Sequence, residues 1–102
     1  MYKGQIKYCI DKLSNKSNKR PCIILSVNNC NIKVMYITKN QDTWDYDKIG
    51  IEELDTVDFT NMPSFVVLGI FDIGCMDCNS SQFSGYITDK LKQKLKGYGF
   101  DI

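Results

Sequence analysis

The sequence predicts a single mainly β domain, a small, partly open antiparallel barrel with one C-terminal helix laid against it. Three observations carry this. Short apolar runs rich in β-branched and aromatic residues recur along most of the chain, separated by turn-forming or charged stretches. Apolar spacing changes to i, i+4 only near the C-terminus, at Leu91 and Leu95. The 102 residues leave room for one domain, residues 1–102, because domains cluster near roughly 100 to 150 residues.

Gln5 to Ile10 mixes polar and apolar residues and reads as a first strand. Pro21 to Val27 is almost continuously apolar and reads as a second, with the proline fixing φ at its first residue. The polar, basic stretch DKLSNKSNKR between them reads as a surface loop. Asn28, Asn29 and Asn31 supply turn chemistry, so Ile32 to Thr38 becomes a third strand in a hairpin with the second. Lys39 to Pro63 is acidic and reads as a long loop with one or two short strands, one of them at Thr56 to Phe59. Ser64 to Ile73 is the most hydrophobic stretch and is expected to be the central strand. Thr88 is placed as an N-cap, Asp89 suits the positive end of a helix, and Gly97 and Gly99 end it.

Charge is segregated. Residues 1–40 carry seven lysines and Arg20 against Asp11, whereas residues 41–89 carry ten acidic residues against Lys48. A basic first part suits phosphate; the acidic middle suits shielding of that surface, contact with a basic partner, or simple solvation. Histidine is absent, so neutral-pH acid/base work falls to Arg, Lys, carboxylates, Tyr or Cys, and His-based triads and zinc hydrolase motifs are excluded. No apolar run approaches the roughly 20 residues of a membrane helix, and the N-terminus lacks a signal peptide's apolar stretch, which predicts a soluble, cytoplasmic protein with no membrane partner.

Five cysteines, at 9, 22, 30, 75 and 78, are odd in number and widely spread, which does not read as a disulfide framework. Cys75-Met76-Asp77-Cys78 has the spacing of half a zinc site without a second half, and Cys9 and Cys22 read as small buried hydrophobes. No metal and no cofactor is expected.

Blocks in order along the chain carry a family likeness: Gly4-Gln5-Ile6; Lys19-Arg20-Pro21 followed by CIILSV; the strand ending in Ile37-Thr38; Pro63-Ser64-Phe65-Val66; and Gly85-Tyr86-Ile87-Thr88 leading into the helix. This ordered set resembles the MazF/PemK (Kid/CcdB-like) toxin family over nearly the whole chain. The resemblance implies an SH3-like antiparallel β-barrel with a C-terminal α-helix, forming a homodimer. It further implies the toxin of a type II toxin–antitoxin system, a sequence-specific, metal-independent endoribonuclease (mRNA interferase) acting on single-stranded RNA and restrained by an antitoxin protein. In such enzymes a ribose 2′-hydroxyl attacks the adjacent phosphate in line, leaving a cyclic phosphate and a 5′-hydroxyl.

On this resemblance Arg20 and Thr38 are the catalytic candidates. Arg20 matches the arginine beside the scissile phosphate, and a planar guanidinium suits a phosphate gaining charge better than a lysine does. It is the one arginine in a chain with twelve lysines. Thr38 matches a threonine at the end of the third strand that binds the same phosphate. Ser14, Lys16, Ser17 and Lys19, in the first loop, are the RNA-binding candidates. The sequence also departs from the family: the run after Ser64 holds no polar group, and the acidic or histidine residue often found just before Arg-Pro is missing. Asp11, Glu52 or a lysine would have to supply a general base. The alternative is a member with weakened catalysis that serves as a nucleic-acid- or protein-binding module, for example phage-encoded, using its acidic segment 41–58 as contact surface; a plain interaction barrel is the third reading.

Overall fold

The computed structural model describes residues 1–12, 19–39, 46–59 and 64–102, and the side chains of all of these except 79–84. The elements are β1 (Gln5–Ile10), β2 (Lys19–Asn28), β3 (Asn31–Thr38), β4 (Lys48–Gly50), β5 (Thr56–Val57), β6 (Phe65–Val67), β7 (Phe71–Gly74), β8 (Cys78–Ile87) and α1 (Asp89–Gly97). Two 3₁₀ turns, Glu53–Asp55 and Cys75–Asp77, precede β5 and β8.

All pairings among these strands are antiparallel, in the order β4-β6-β3-β2-β1-β8-β5, with β7 also on β3. In the curled sheet β3 lends its far edge to two short strands: Asn31 to Val34 pair with β7, and Ile37 and Thr38 pair with β6. The expected mainly β architecture with a C-terminal helix is therefore present. Among the described residues no helix is long and apolar enough to cross a membrane.

Strand alternation fills both faces of the sheet. One face gathers Ile6, Ile23, Leu25, Met35, Ile37, Val66 and Ile87 against Leu91 and Leu95 of α1. The other gathers Cys9, Cys22, Ile24, Ile32, Val34, Tyr36, Val67, Ile73 and Cys78. Two buried faces explain why CIIL in β2 is continuously apolar rather than alternating. The hairpin between β2 and β3 closes on Asn28↔Asn31, with Asn29 at φ 55°, the left-handed conformation that asparagine tolerates.

Three differences from the sequence reading have physical causes. Residues 64–73 do not form one central strand; β2 occupies the centre of the order, and the apolar run breaks at 68–70, where the Leu68 N–H turns to the Asp47 carbonyl and the Gly69 N–H to that of Val67. A single straight strand does not follow the curl of β3, so two short ones share it. Lys19 and Arg20, read as loop, begin β2, because Ile10 and Cys9 of β1 pair with them and Pro21 falls before the ladder to β3 starts at Cys22↔Tyr36. Residues 78–87, polar and unassigned in the sequence, form β8 along the free edge of β1.

Gly85 in β8 has φ +118°, and a β-carbon there would run into the Val57 carbonyl, so the β5–β8 crossing requires glycine. The helix starts where expected, at Thr88, yet the Thr88 hydroxyl does not cap it. That hydroxyl donates to the Leu54 carbonyl at 2.8 Å, while the Thr88 N–H donates to the Asp55 carbonyl. The turn before β5 thus docks on the helix start. Gly99, at φ +94°, closes the C-terminus with its N–H on the Lys96 carbonyl.

Candidate functional site

Arg20 lies at the start of β2 on the face that carries Cys22 and Ile24, and its cross-strand partner on β1 is Cys9. Beyond the Cys22↔Tyr36 pair, Arg20 and Thr38 are each two residues further out on adjacent strands, hence on this same face. Thr38 in turn faces Phe65 of β6. The two catalytic candidates, eighteen positions apart, are thus brought to neighbouring strand ends, because the hairpin folds β3 back along β2.

Asp11, the residue after β1, holds Arg20. Both Nε and Nη2 of Arg20 donate to Asp11 Oδ2 at 2.9 Å. The carboxylate side chain is 3% exposed and the guanidinium side chain 22%, so the acid forms the buried floor and the arginine the solvent-facing part. Such a charge-assisted contact fixes the plane of the guanidinium. Thr38 is buried at 2% exposure, whereas Lys19, opposite Ile10, is exposed.

Tyr36 sets the position of Asp11. Its hydroxyl donates to the Ile10 carbonyl at 2.7 Å and accepts the Lys12 N–H at 3.4 Å, gripping the backbone on both sides of residue 11. The ring is fully buried and meets Phe71 edge-on at 5.3 Å. Burial pushes the Tyr36 phenol up to about 12, so it stays protonated and keeps donating. Sequence reasoning named Asp11 only as a possible base and missed Tyr36; the signal was a tyrosine at an inward position of IKVMYIT.

Of the RNA-binding candidates, only Lys19 is placed; Ser14, Lys16 and Ser17 lie outside the described residues, as does Pro63 of the family-like blocks. The acidic middle of the chain turns out to be partly used by the fold. Glu52 pairs with Lys90 at 3.0 Å and Lys94 at 3.4 Å, and fully buried Asp55 pairs with Lys94 at 2.9 Å. Asp72 pairs with Lys33 of the basic first part at 2.9 Å. Glu52, paired with the lysines of α1, is therefore no nearby base for Arg20.

The cysteines also depart from expectation: Cys9 and Cys78, cross-strand partners on β1 and β8, are disulfide-bonded. The Sγ atoms of Cys9, Cys22 and Cys78 lie within 4.8 Å of one another, all buried. With two of the three joined, the thiolates that a metal requires are not available there. Cys22 keeps its thiol, which donates to the Lys7 carbonyl at 3.4 Å, and burial drives its pKa far up. One row across the sheet therefore runs from Cys78 through Cys9 to Arg20.

Compared with known proteins, the chain matches no protein-family model and no curated protein.

Proposed function

We propose that the chain is a metal-independent endoribonuclease acting on single-stranded RNA, the toxin of a type II toxin–antitoxin pair of the MazF/PemK kind. In this reading it folds as an SH3-like barrel, acts as a homodimer in the cytoplasm and is restrained by an antitoxin. The observation that carries the reading is that the β2–β3 register brings Arg20 and Thr38 to adjacent strand ends on one face, with Asp11 accepting from the guanidinium.

The chemistry follows from that arrangement. The scissile phosphate sits against Arg20, whose oriented N–H groups stabilise the charge that builds on the phosphorane. Asp11 is a positioning residue, because its Oδ2 already accepts two N–H bonds from Arg20. Thr38 closes the floor of the site, and Lys19 with Ser14, Lys16 and Ser17 tracks the RNA backbone. The attacking 2′-hydroxyl loses its proton as it bonds to phosphorus, and the departing 5′-oxygen gains one.

A long mixed-sequence RNA incubated with the protein in EDTA tests this. Cleavage products with cyclic phosphate and 5′-hydroxyl ends, lost in Arg20→Lys, support the reading. One observation favours binding without cleavage: Val66 and Val67 of β6 are both fully buried and apolar, where related toxins carry polar groups. RNA that is retained but left intact selects that second reading.

A further inference from the structure

The motif Cys75-Met76-Asp77-Cys78 places each of its cysteines beside another cysteine: Cys78 across the β1–β8 pairing, and Cys75, in the 3₁₀ turn, beside Cys30 in the β2–β3 turn. Cys78 faces Cys9, and that pair is already a disulfide. Cys75 follows Gly74, whose ladder partner on β3 is Asn31, so the next outward pair is Cys75 with Cys30. The Cys75 N–H donates to the Cys30 carbonyl at 3.0 Å, extending the ladder by one step. Cys30 is exposed, Cys75 is partly buried, and both are free thiols. Asp77 fixes the turn between them and β8 by accepting the Gly74 N–H at 2.9 Å.

We propose that Cys30 and Cys75 form a redox-active dithiol that a low-molecular-weight disulfide, such as oxidised glutathione, converts into a second cross-strand disulfide. Facing residues of an antiparallel ladder have α-carbons roughly 4.5–5.5 Å apart, inside the roughly 4.4–6.8 Å that a disulfide spans, and the Cys75–Cys30 backbone bond carries that ladder one step past Gly74↔Asn31. One protein thiolate attacks a sulfur of oxidised glutathione, forming a mixed disulfide and expelling glutathione thiolate. The second protein thiolate then attacks the protein sulfur of the mixed disulfide and expels the other glutathione. Both thiol protons end on the two glutathione molecules, and the two electrons of oxidation pass to the oxidant. The odd cysteine count resolves as two cross-strand pairs plus Cys22, which is fully buried and held against the Lys7 carbonyl. The new bond ties the β2–β3 turn to the 3₁₀ turn before β8.

The full chain equilibrated in glutathione buffers of rising oxidised fraction, alkylated after unfolding and digested on the N-terminal side of aspartate, tests the proposal. Cleavage before Asp77 separates Cys75 from Cys78, cleavage before Asp11 separates Cys9 from Cys22, and a second digestion with chymotrypsin, cutting after Leu25, separates Cys22 from Cys30. The expected result is a cross-link from residues 72–76 to Cys30 that appears with oxidation and disappears on reduction, with Cys22 alkylated throughout. In Cys30→Ser the cross-link is lost and Cys75 accumulates a glutathione adduct, while the circular dichroism spectrum is unchanged. Glutathione adducts on Cys30 and Cys75 of the unaltered chain without the cross-link would overturn the proposal, as would a bond from Cys22 to either.

Discussion

At Arg20 the guanidinium is partly exposed while the carboxylate that orients it is buried, an asymmetry that separates two kinds of mutational effect. Arg20→Lys keeps the charge and loses the fork, so RNA cleavage is expected to fall roughly a hundredfold or more, as for loss of one oriented donor. Thr38→Val removes one neutral hydroxyl and costs less; single-turnover rates on one RNA measure both. Asp11→Asn removes the buried carboxylate from its pair with a partly exposed guanidinium, and urea denaturation should show a loss of about 2–3 kcal/mol, below a fully buried pair because Arg20 still touches water. Tyr36→Phe deletes a hydroxyl that grips residues 10 and 12. It should cost about 1–2 kcal/mol and, by freeing Asp11, lower cleavage at unchanged RNA affinity. Arg20 was singled out in the sequence by the Lys19-Arg20-Pro21 block of the family likeness, and by standing alone among lysines. Tyr36 was not, because its role depends on which backbone lies across from its hydroxyl.

The 3₁₀ turn Glu53–Asp55 and helix α1 are joined by charge, and their stability depends on pH in two opposite ways. The Lys90 and Lys94 ammonium groups hold Glu52 below its usual carboxylate range, so its contribution is present above the unfolded value and is lost as pH falls through the folded one. Hydrogen bonding to Asp55, then the charges of Asp55 and Glu52, outweighs desolvation and raises Lys94. Its contribution is complete below the unfolded lysine value and disappears as pH rises through the raised one. Thermal midpoints should therefore decline at both ends, and Lys94→Met should remove the alkaline decline while lowering the plateau, since buried Asp55 loses its cation. Within the sheet, Cys78→Ser cuts the disulfide that joins β1 to β8 across 69 positions. A loss of about 2–4 kcal/mol is expected by urea denaturation, and none in the presence of a strong reductant. The helix was readable from Leu91, Leu95 and the closing glycines. Strand β8 was not, because a polar run becomes a strand only when the free edge of β1 supplies its hydrogen bonds.

Across the whole molecule part of the positive charge is taken up by the fold, since Lys33 of residues 1–40 is drawn to Asp72 and the helix lysines Lys90 and Lys94 to Glu52 and Asp55. RNA affinity should fall linearly in logarithmic form as salt rises, and Lys19→Glu should reduce both the affinity and the slope without altering the fold. Binding isotherms at several salt concentrations read this directly.

The sequence by itself determined that the chain is mainly β with a C-terminal helix, and it placed β1, β3 and α1 closely, because those elements carry local signals: apolar runs, an asparagine turn and helical spacing. It also singled out Arg20. Only the tertiary structure decided that residues 64–73 split between β6 and β7, that Asp11 lies under Arg20, and that cysteines 69 positions apart meet. These depend on which strand edges face each other once the sheet curls, and cross-strand register is a property of pairs distant in sequence rather than of any local stretch.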